Sequence, residues 1–354
     1  MKRRFTGTVA KILLAGGLLS AGTSFAGNPD RVGQAGATEL LINPWARSTG
    51  WGNANSGSVQ GLEATYLNVA GIAHTTKTEA GFAHTNFLQG SGIGINAFGL
   101  TQKVGESSVM GLSIMSIDYG NIDITSTTIP EGGVGQFKPQ FINIGLSFAK
   151  AFSNSIFGGF TVRIIDESIS NVGARGLALD AGIQYVTGTN DDRNNIRFGI
   201  ALKNVGTPMS FGGDGLSTRL LAPTGSYQLT VEQRTEGFEI PSLMSVGASY
   251  DYKPAENHRL TAAASFCSNS FSYDQSTIGL EYAFREMFML RSGFSYEKNL
   301  FSNDLRMTVY TGPSAGMTLE LPLGKSGKKF GIDYSVRFTN PFSNTHTFGA
   351  RLTL

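Results

Sequence analysis

Four histidines and a single cysteine are the residues best suited to chemistry in this sequence, and their spacing does not favour catalysis. No His-x-x-x-His or Cys/His metal-binding spacing occurs among the four histidines, which are His74, His84, His258 and His346. His346 follows Ser343 and Asn344, and such a triplet serves a hydrolase only if the side chains converge. Cys267 has no partner for an internal disulfide, so a structural thiol is expected. The sequence therefore predicts no enzyme activity, no cofactor and no metal.

One apolar stretch is the best candidate for binding another molecule. Residues 205–237 lack the alternation of a strand, yet they are too apolar for a freely solvated loop. Two interpretations stay open: the stretch folds over the rest of the protein, or it presents a surface to a partner protein. The candidate partner-binding residues are Phe211, Leu216, Leu220, Leu221 and Tyr227.

The region that holds both tryptophans differs from the rest of the chain. Residues 27–78 are rich in small side chains, as in Gly50-Trp51-Gly52, and their alternation is poor. We interpret this region as an irregular or short-helical plug packed inside a larger structure. Its candidate packing residues are Pro44, Trp45, Arg47 and Trp51.

From residue 79 onward, apolar side chains recur at every second position. Ile332, Tyr334 and Val336, for example, alternate with Asp333 and Ser335. Such a period of two places the two sets on opposite faces of a strand. The pattern predicts an all-β protein, a transmembrane antiparallel β-barrel of about 14 strands over residues 79–354, including strands at 155–165, 175–187, 238–251 and 304–321.

Periodicity alone does not separate a membrane barrel from a soluble sandwich, but the N-terminus and composition favour the barrel. Basic residues precede a short apolar run at 12–21, and Ser24-Phe25-Ala26 resembles a cleavage site, so residues 1–26 are predicted to be a signal peptide. Glycine (46 residues) and phenylalanine (24) are abundant, and the mean hydropathy is only −0.05. A barrel has this average because its lipid-facing and lumen-facing residues alternate.

The balance of charged residues, the C-terminal strand and the lengths of the loops predict where in the cell the protein is located. Without residues 1–26 the chain carries 24 basic and 26 acidic residues, so nothing points to nucleic acid as a partner. The last residues form an amphipathic strand that can close a barrel. The two long gaps, 118–138 and 205–237, both follow odd-numbered predicted strands, and outer-membrane barrels keep their long loops outside. These features predict a bacterial outer-membrane protein in contact with outer-membrane lipid and lipopolysaccharide, with both termini periplasmic.

Two segments carry a resemblance to a known family. Residues 39–52, ELLINPWARSTGWG, resemble the N-terminal block of the PorV/PorQ family, and the closing block is similar at 331–335 (GIDYS), 339–342 (TNPF) and 345–349 (THTFG). That family is related in fold to FadL-type channels, fourteen-stranded barrels with an N-terminal plug. The Asn-Pro-Ala motif of those channels corresponds here to Asn68-Val69-Ala70, in which valine replaces proline.

The resemblance implies a component of the type IX secretion system that binds translocon barrels and cargo proteins, through the C-terminal signal domain of the cargo. The alternative is a FadL-like channel for long-chain fatty acids or other small hydrophobic molecules, with such a molecule in the lumen. A hydrolase is a third hypothesis. An apolar path past the plug would favour the channel, whereas a blocked lumen with apolar loops would favour secretion.

Overall fold

The structure is a computed structural model, and it describes residues 27–187, 195–223, 225–302, 304–324 and 327–354. The predicted signal peptide, residues 1–26, lies outside these ranges. Most of the described chain is strand, and the short helices lie in the N-terminal segment and in one loop. No helix among the described residues is long and apolar enough to cross a membrane.

Fourteen antiparallel strands close into one barrel, as the alternation predicts. The last strand pairs with the first, so the barrel has no open edge, which a lipid bilayer requires. Neighbours along the chain are neighbours in the wall. The barrel strands are β1 (Thr78–Phe87), β2 (Ile93–Lys103), β3 (Ser108–Asp118), β6 (Gln140–Ala151), β7 (Ile156–Ile169), β8 (Val172–Val186), β9 (Ile196–Gly206), β12 (Leu243–Ala255), β13 (His258–Asn269), β14 (Gln275–Phe284), β15 (Phe288–Glu297), β16 (Tyr310–Pro322), β17 (Lys329–Thr339) and β18 (Thr345–Thr353).

The remaining four strands form two hairpins outside the wall. β4 (Ile122–Asp123) pairs with β5 (Gln136–Phe137), and β10 (Ser217–Leu221) pairs with β11 (Gln228–Glu232). The alternation does not predict these hairpins, because both lie in segments without a clear period of two. Both hairpins belong to long connections at one end of the barrel, which we call the mouth end; the opposite end, with short turns, is the turn end.

The wall is inside out relative to a soluble protein. On β14, Ile278 and Leu280 are 62% and 53% exposed, whereas Glu281 is 4% exposed and faces the lumen. The same alternation holds on the other strands, where large apolar side chains point outward and polar side chains are buried. This arrangement suits a wall with lipid outside and a filled lumen.

Four predicted strand boundaries are wrong, each for a local reason. The strand predicted at 238–251 begins at Leu243, since Pro241 lacks the N–H that a ladder needs. The strand predicted at 304–321 begins at Tyr310, beside an irregularity in pairing before Ser314. The strands predicted at 155–165 and 175–187 extend to a two-residue turn at the mouth end, because residues that look like a polar gap remain paired there.

The N-terminal segment runs through the lumen from the mouth end to the turn end. The Asn28 N–H donates to Asn269 O at the mouth end (3.4 Å), and Lys77 O accepts from the Lys103 N–H at the turn end. Its helices are α1 (Ala46–Gly50) and α2 (Ala64–Leu67), with 3₁₀ turns at Pro29–Arg31, Thr38–Leu41, Ala54–Gly57, Gly61–Glu63 and Val69–His74; a further 3₁₀ turn, Asp214–Leu216, lies in a loop.

The path of this segment corrects one expectation about the chain ends. Gly27 packs against Ser272 at the mouth end, whereas Leu354 hydrogen-bonds to Thr78 at the turn end. The two ends of the described chain therefore lie at opposite ends of the barrel, and they are not both on the periplasmic side. The physical reason is that a plug threaded once through the lumen must start at the end opposite to the start of β1.

Candidate functional site: the plug and two cavities

The plug is built around a buried glutamate that organises helix α1. The Glu63 carboxylate accepts hydrogen bonds from the Arg47 N–H (3.1 Å), the Ser48 N–H (2.9 Å) and the Ser48 hydroxyl (2.5 Å). These N–H groups have no partner inside a short helix, so the carboxylate satisfies donors that would otherwise be left unpaired. Burial raises the pKa of Glu63, while Arg47 acts to lower it. The bonds fix α1 against the turn Gly61–Glu63.

The predicted plug residues lie together in the lumen. Pro44 is buried, and both Trp45 and Trp51 are only 5% exposed. Trp45 packs with Leu62 in an apolar cluster against the wall, and Trp51 packs with Ala54 and Ala263. Arg47 differs, because it is half-buried and its side chain lines a polar cavity.

Glycines of the wall allow the plug backbone to approach closely. A Cβ added to Gly293 on β15 would lie 2.0 Å from Trp51 O, and one added to Gly316 on β16 would lie 2.9 Å from the Gly50 Cα. Gly247 on β12 makes the same kind of contact with Gly57. The plug is therefore seated backbone to backbone on one side of the wall, where any larger side chain would collide.

Asn68, in the motif related to the FadL-type sequence, joins the plug to the opposite wall. Its Oδ1 accepts from the Ala70 N–H (3.2 Å) and caps the turn Val69–His74. Its Nδ2 donates to Ile183 O on β8 (3.2 Å) and to Ile200 O on β9 (3.4 Å). Asn68 is 1% exposed, so these bonds are shielded from water.

A charged pair of the wall was not singled out by the sequence. Arg163 on β7 lies 2.6 Å from Asp180 on β8, and its guanidinium also donates to Thr65 O of the plug (2.8 Å). Both side chains are at most 5% exposed. The sequence does show a charged residue on the lumen face in the middle of each strand. It does not show that the two charged residues face each other in the barrel.

A polar cavity of about 340 Å³ lies at the turn end, between the plug and the wall. Its wall side carries ion pairs, such as Arg197 with Asp251 (2.9 Å) and Arg259 with Glu281 (2.8 Å). Its plug side carries Arg47, Asn55 and Glu63. This cavity suits water or a polar solute and offers little apolar surface.

A second cavity of about 290 Å³ lies at the mouth end, and we call it the mouth cavity. Its accessible lining is more apolar than polar, although many polar residues, such as Lys203, Ser245 and Asn269, also face it. The plug stretch from Trp51 to Ser56 separates it from the polar cavity. Trp51 and Asn55 line the polar cavity, whereas Gly52, Asn53 and Ser56 line the mouth cavity. The apolar lining residues include Leu41, Ile42, Tyr66, Leu67, Phe87 and Leu243.

The predicted partner-binding residues divide into two groups. Phe211 contacts Phe238 with the two rings tilted and their centroids 5.4 Å apart, and it packs into the apolar cluster at the mouth end. Leu216 is half-buried at the end of a 3₁₀ turn. Leu220, Leu221 and Tyr227 are 53%, 69% and 57% exposed at the β10–β11 hairpin. The base of this loop thus covers the mouth end, while its tip is exposed.

The structure does not bring the histidines together. His74 packs on Phe157 inside the barrel, whereas His84, His258 and His346 lie on separate strands and contact Asn96, Tyr282 and Tyr334. His346 is in β18 and not in the preceding loop, so the triplet with Ser343 and Asn344 does not form one loop. In the described ranges, no group of three or more His, Cys, Asp or Glu residues is placed to hold a metal ion.

The architecture is similar to solved outer-membrane channels. The Pseudomonas putida toluene transporter TodX matches with a TM-score of 0.53 at 10% identity, over 88% of this chain and 97% of that one. A TodX mutant described as a monoaromatic hydrocarbon channel matches with 0.53 at 14% identity, over 87% and 97%. A Pseudomonas aeruginosa FadL homologue gives 0.48 at 12%, over 87% and 96%.

These likenesses concern the fold. The chain shares the barrel fold of the toluene transporter TodX, and identities of this size carry no further information. Comparison with protein-family models gives no match. Comparison with curated protein sequences gives no match either.

Proposed function

We propose that this chain is a non-enzymatic outer-membrane barrel that takes small hydrophobic molecules into its mouth cavity. The observation that carries the proposal is a cavity of about 290 Å³ with a largely apolar lining, placed above a plug in a FadL-like barrel. Small-molecule sites are concave and mostly apolar, with a few polar groups that orient the ligand. TodX, whose fold is similar, is described as a toluene transporter.

In this proposal the mouth end faces the outside of the cell. Long loops at one end and short turns at the other are typical of outer-membrane barrels, in which the turns are periplasmic. The C-terminus is then periplasmic, and the segment that begins at Gly27 enters the lumen from outside. The apolar side chains exposed on the outer face of the wall, such as Ile278 and Leu280, form an apolar belt that contacts outer-membrane lipid.

The plug is the gate in this proposal. Trp51 and its neighbours close the lumen between the two cavities, so a molecule in the mouth cavity passes further only if the plug shifts. The close contacts of Gly293 and Gly316 hold the plug on the β15–β16 side. On the β8–β9 side, Asn68 and Gln184 connect the plug to the wall by side-chain hydrogen bonds, and Gly199 lies close to the Gly57 backbone.

Filling the mouth cavity tests the proposal. Ser245 lines this cavity and its hydroxyl has no hydrogen-bond partner among the residues that the structure describes, so Ser245→Phe should occupy the space. Ser292→Phe is the matched control, because Ser292 is exposed on the outer face of β15. Saturable binding of toluene and decan-1-ol to the full chain in phosphatidylcholine nanodiscs should be lost only in Ser245→Phe. Absence of saturable binding in the unmodified chain would reject the proposal.

A second candidate function is the secretion role implied by the PorV/PorQ resemblance. It is favoured by the exposed apolar tip of the β10–β11 hairpin, where Leu220, Leu221 and Tyr227 face solvent. Exposed apolar patches of this kind mark sites for protein partners. In this reading the hairpin binds cargo or a translocon barrel, and the closed lumen needs no opening.

A gene deletion in the native host separates the two functions. The channel proposal predicts loss of growth on hydrophobic substrates with normal secretion of proteins. The secretion candidate predicts retention of cargo, and the double variant Leu220→Asp/Leu221→Asp should reproduce it while the barrel stays folded. Normal secretion in both strains would exclude the second candidate.

A further inference from the structure

The outer face of the wall carries a polar patch where strands β18, β1 and β2 meet. In the β1–β2 ladder His84 lies opposite Asn96, and in the β1–β18 ladder Asn86 lies opposite His346. All four side chains share the outer face of the sheet with the exposed Phe82. His84 and Asn96 are exposed, and the other two are half-buried. We call these four residues the seam patch, because the last strand joins the first strand there.

The seam patch interrupts the apolar belt. His84 and Asn96 each lie three residues from the mouth end of their strand. At the same distance from the mouth end, the strands β12 to β15 present the apolar residues Val246, Phe266, Ile278 and Phe294. A strand needs about 9–11 residues to cross the hydrocarbon layer of a membrane, and β1 and β2 have 10 and 11 residues. The patch therefore lies in the membrane-spanning part of these strands.

The wall satisfies only part of the hydrogen-bonding capacity of the seam patch. An amide oxygen only accepts, so the His84 Nδ1–H donates to Asn96 Oδ1 (2.9 Å), and His346 Nδ1 lies 2.8 Å from the Tyr334 hydroxyl. His84 Nε2 is then a further acceptor and Asn96 Nδ2 a further donor. Among the described residues, neither atom has a hydrogen-bond partner. Lipid chains offer none, so this position is costly unless another molecule supplies one.

The surface around the patch is uncharged and suits contact with a copy of itself. The outward positions of β18, β1 and β2 hold no Lys, Arg, Asp or Glu. A two-fold contact places the same surface on both sides, so it would bring like charges together if the surface were charged. Amides both donate and accept, so such groups pair with their own kind. The exposed rings of Phe82, Phe98 and Phe348 flank the patch.

We infer that the seam patch is the contact surface between two copies of this chain in the outer membrane. Across the two-fold axis, His84 Nε2 accepts a hydrogen bond from an Asn86 or Asn96 amide of the second copy, and the flanking phenylalanine rings pack around these bonds. Polar side chains join membrane-spanning segments in this way. The patch faces away from the lumen, so the contact involves neither the plug nor the mouth cavity and goes beyond the proposed function.

Dimerisation of the full chain in phosphatidylcholine vesicles tests the inference. The measurement is energy transfer between donor-labelled and acceptor-labelled chains as the protein is diluted in lipid. The triple variant His84→Leu/Asn86→Leu/Asn96→Leu loses the hydrogen bonds between the copies, so its dimerisation should be about tenfold to a hundredfold weaker. The matched control exchanges three outward serines of β13, β14 and β15 and should dimerise like the unmodified chain; it is Ser268→Leu/Ser276→Leu/Ser292→Leu.

The outcomes decide for or against the second copy. Leucine suits the lipid face, so the triple variant should fold, and heat-modifiable migration in electrophoresis checks this. An unmodified chain that stays monomeric at every dilution would overturn the inference, as would a folded triple variant that dimerises equally well. A photo-reactive side chain in place of Asn86 identifies the neighbour in cells. A product of twice the mass that contains only this chain supports the inference, whereas cross-links only to lipid or to a different barrel overturn it.

Discussion

Asn68 connects the plug to both strands of the β8–β9 wall with one side chain. Its amide reaches two strands and caps a turn of the plug, and Gly182 and Gly199 leave room for it: a Cβ at these positions would lie 2.2 Å from Oδ1 and 2.8 Å from Nδ2. In the sequence this residue stands out only through its motif. The sequence does not show which strands the Asn68 amide contacts, because those strands come close to it only in the assembled barrel.

We expect Asn68→Ala to loosen the plug by about 1–3 kcal/mol, since buried carbonyls lose their donor. Trp45 and Trp51 are the only tryptophans of the chain and both lie in the plug, so their fluorescence during urea unfolding reports on the plug alone. Asn96→Ala, at an exposed asparagine, is the control and should leave the midpoint unchanged. An unchanged midpoint for Asn68→Ala would show that the amide does not secure the plug.

His74 makes the plug sensitive to acid. The imidazole is packed on Phe157, and burial lowers the pKa of His74 to about 4, with a further lowering by Arg197. The folded-state pKa lies below the unfolded value of about 6.5. His74 therefore contributes stability above pH 6.5, and this contribution is lost as the pH falls toward 4.

The loss should reach up to about 3 kcal/mol at pH 4. His74→Gln removes the titrating group, so its plug stability should fall less between pH 7 and pH 4 than that of the unmodified chain. His84→Gln, at an exposed histidine, should behave like the unmodified chain. The measurement is the urea midpoint of tryptophan fluorescence at each pH. Parallel pH profiles for all three proteins would contradict the assignment.

At the scale of elements, the contact between strands β15 and β16 and the plug depends on glycine. Strand propensity alone disfavours glycine in these positions, yet the plug backbone occupies the place of a side chain. Gly293 faces Trp51 O, and Gly316 faces Gly50. Glycine is therefore abundant for two reasons: turns require it, and the wall needs it where the plug backbone packs closely.

A single methyl group should be enough to disturb this contact. Gly293→Ala would place a Cβ 2.0 Å from Trp51 O, whereas the nearest atom to a Cβ at Gly94 on β2 is 3.5 Å away. We expect Gly293→Ala to destabilise the plug by about 1–3 kcal/mol, with circular dichroism of the barrel preserved, and Gly94→Ala to be neutral. Equal tryptophan unfolding midpoints for the two variants would refute the close approach.

At the scale of the whole molecule, the outward apolar belt determines where a charge is tolerated. Leu280 on β14 and Leu221 in the β10–β11 hairpin are 53% and 69% exposed. In a soluble protein the two positions would accept arginine alike. In a membrane barrel only the hairpin position faces water.

Leu280→Arg should therefore destabilise the barrel in lipid bilayers by about 2–4 kcal/mol, the cost of an arginine on the lipid face near the middle of the membrane. Leu221→Arg should change the stability little. Urea unfolding in phospholipid vesicles, followed by circular dichroism, measures both. A Leu280→Arg variant as stable as Leu221→Arg would mean that the belt does not face lipid.

Local periodicity predicted much of the fold, because a strand with lipid on one side and a lumen on the other needs strict alternation at each residue. It predicted the number of barrel strands, the closure by the last strand and the position of residues such as Asp333 on the face opposite to Ile332 and Tyr334. It failed where pairing does not follow alternation: at the β7–β8 turn, where polar residues remain paired, and at Pro241, where the missing N–H ends the ladder.

The candidate site, in contrast, was decided by tertiary structure. The sequence marked Trp45, Trp51 and the apolar loop, but it did not reveal that Lys203 lies on the Tyr66 ring or that Arg163 pairs with Asp180. Those facts depend on which strands are neighbours and on what fills the lumen between them. The sequence alone determined the closed, inverted barrel, since alternation is a local property. Only the tertiary structure decided the path of the plug, the two cavities and the position of Gly27 at the mouth end, because these arise from contacts between residues distant in the chain.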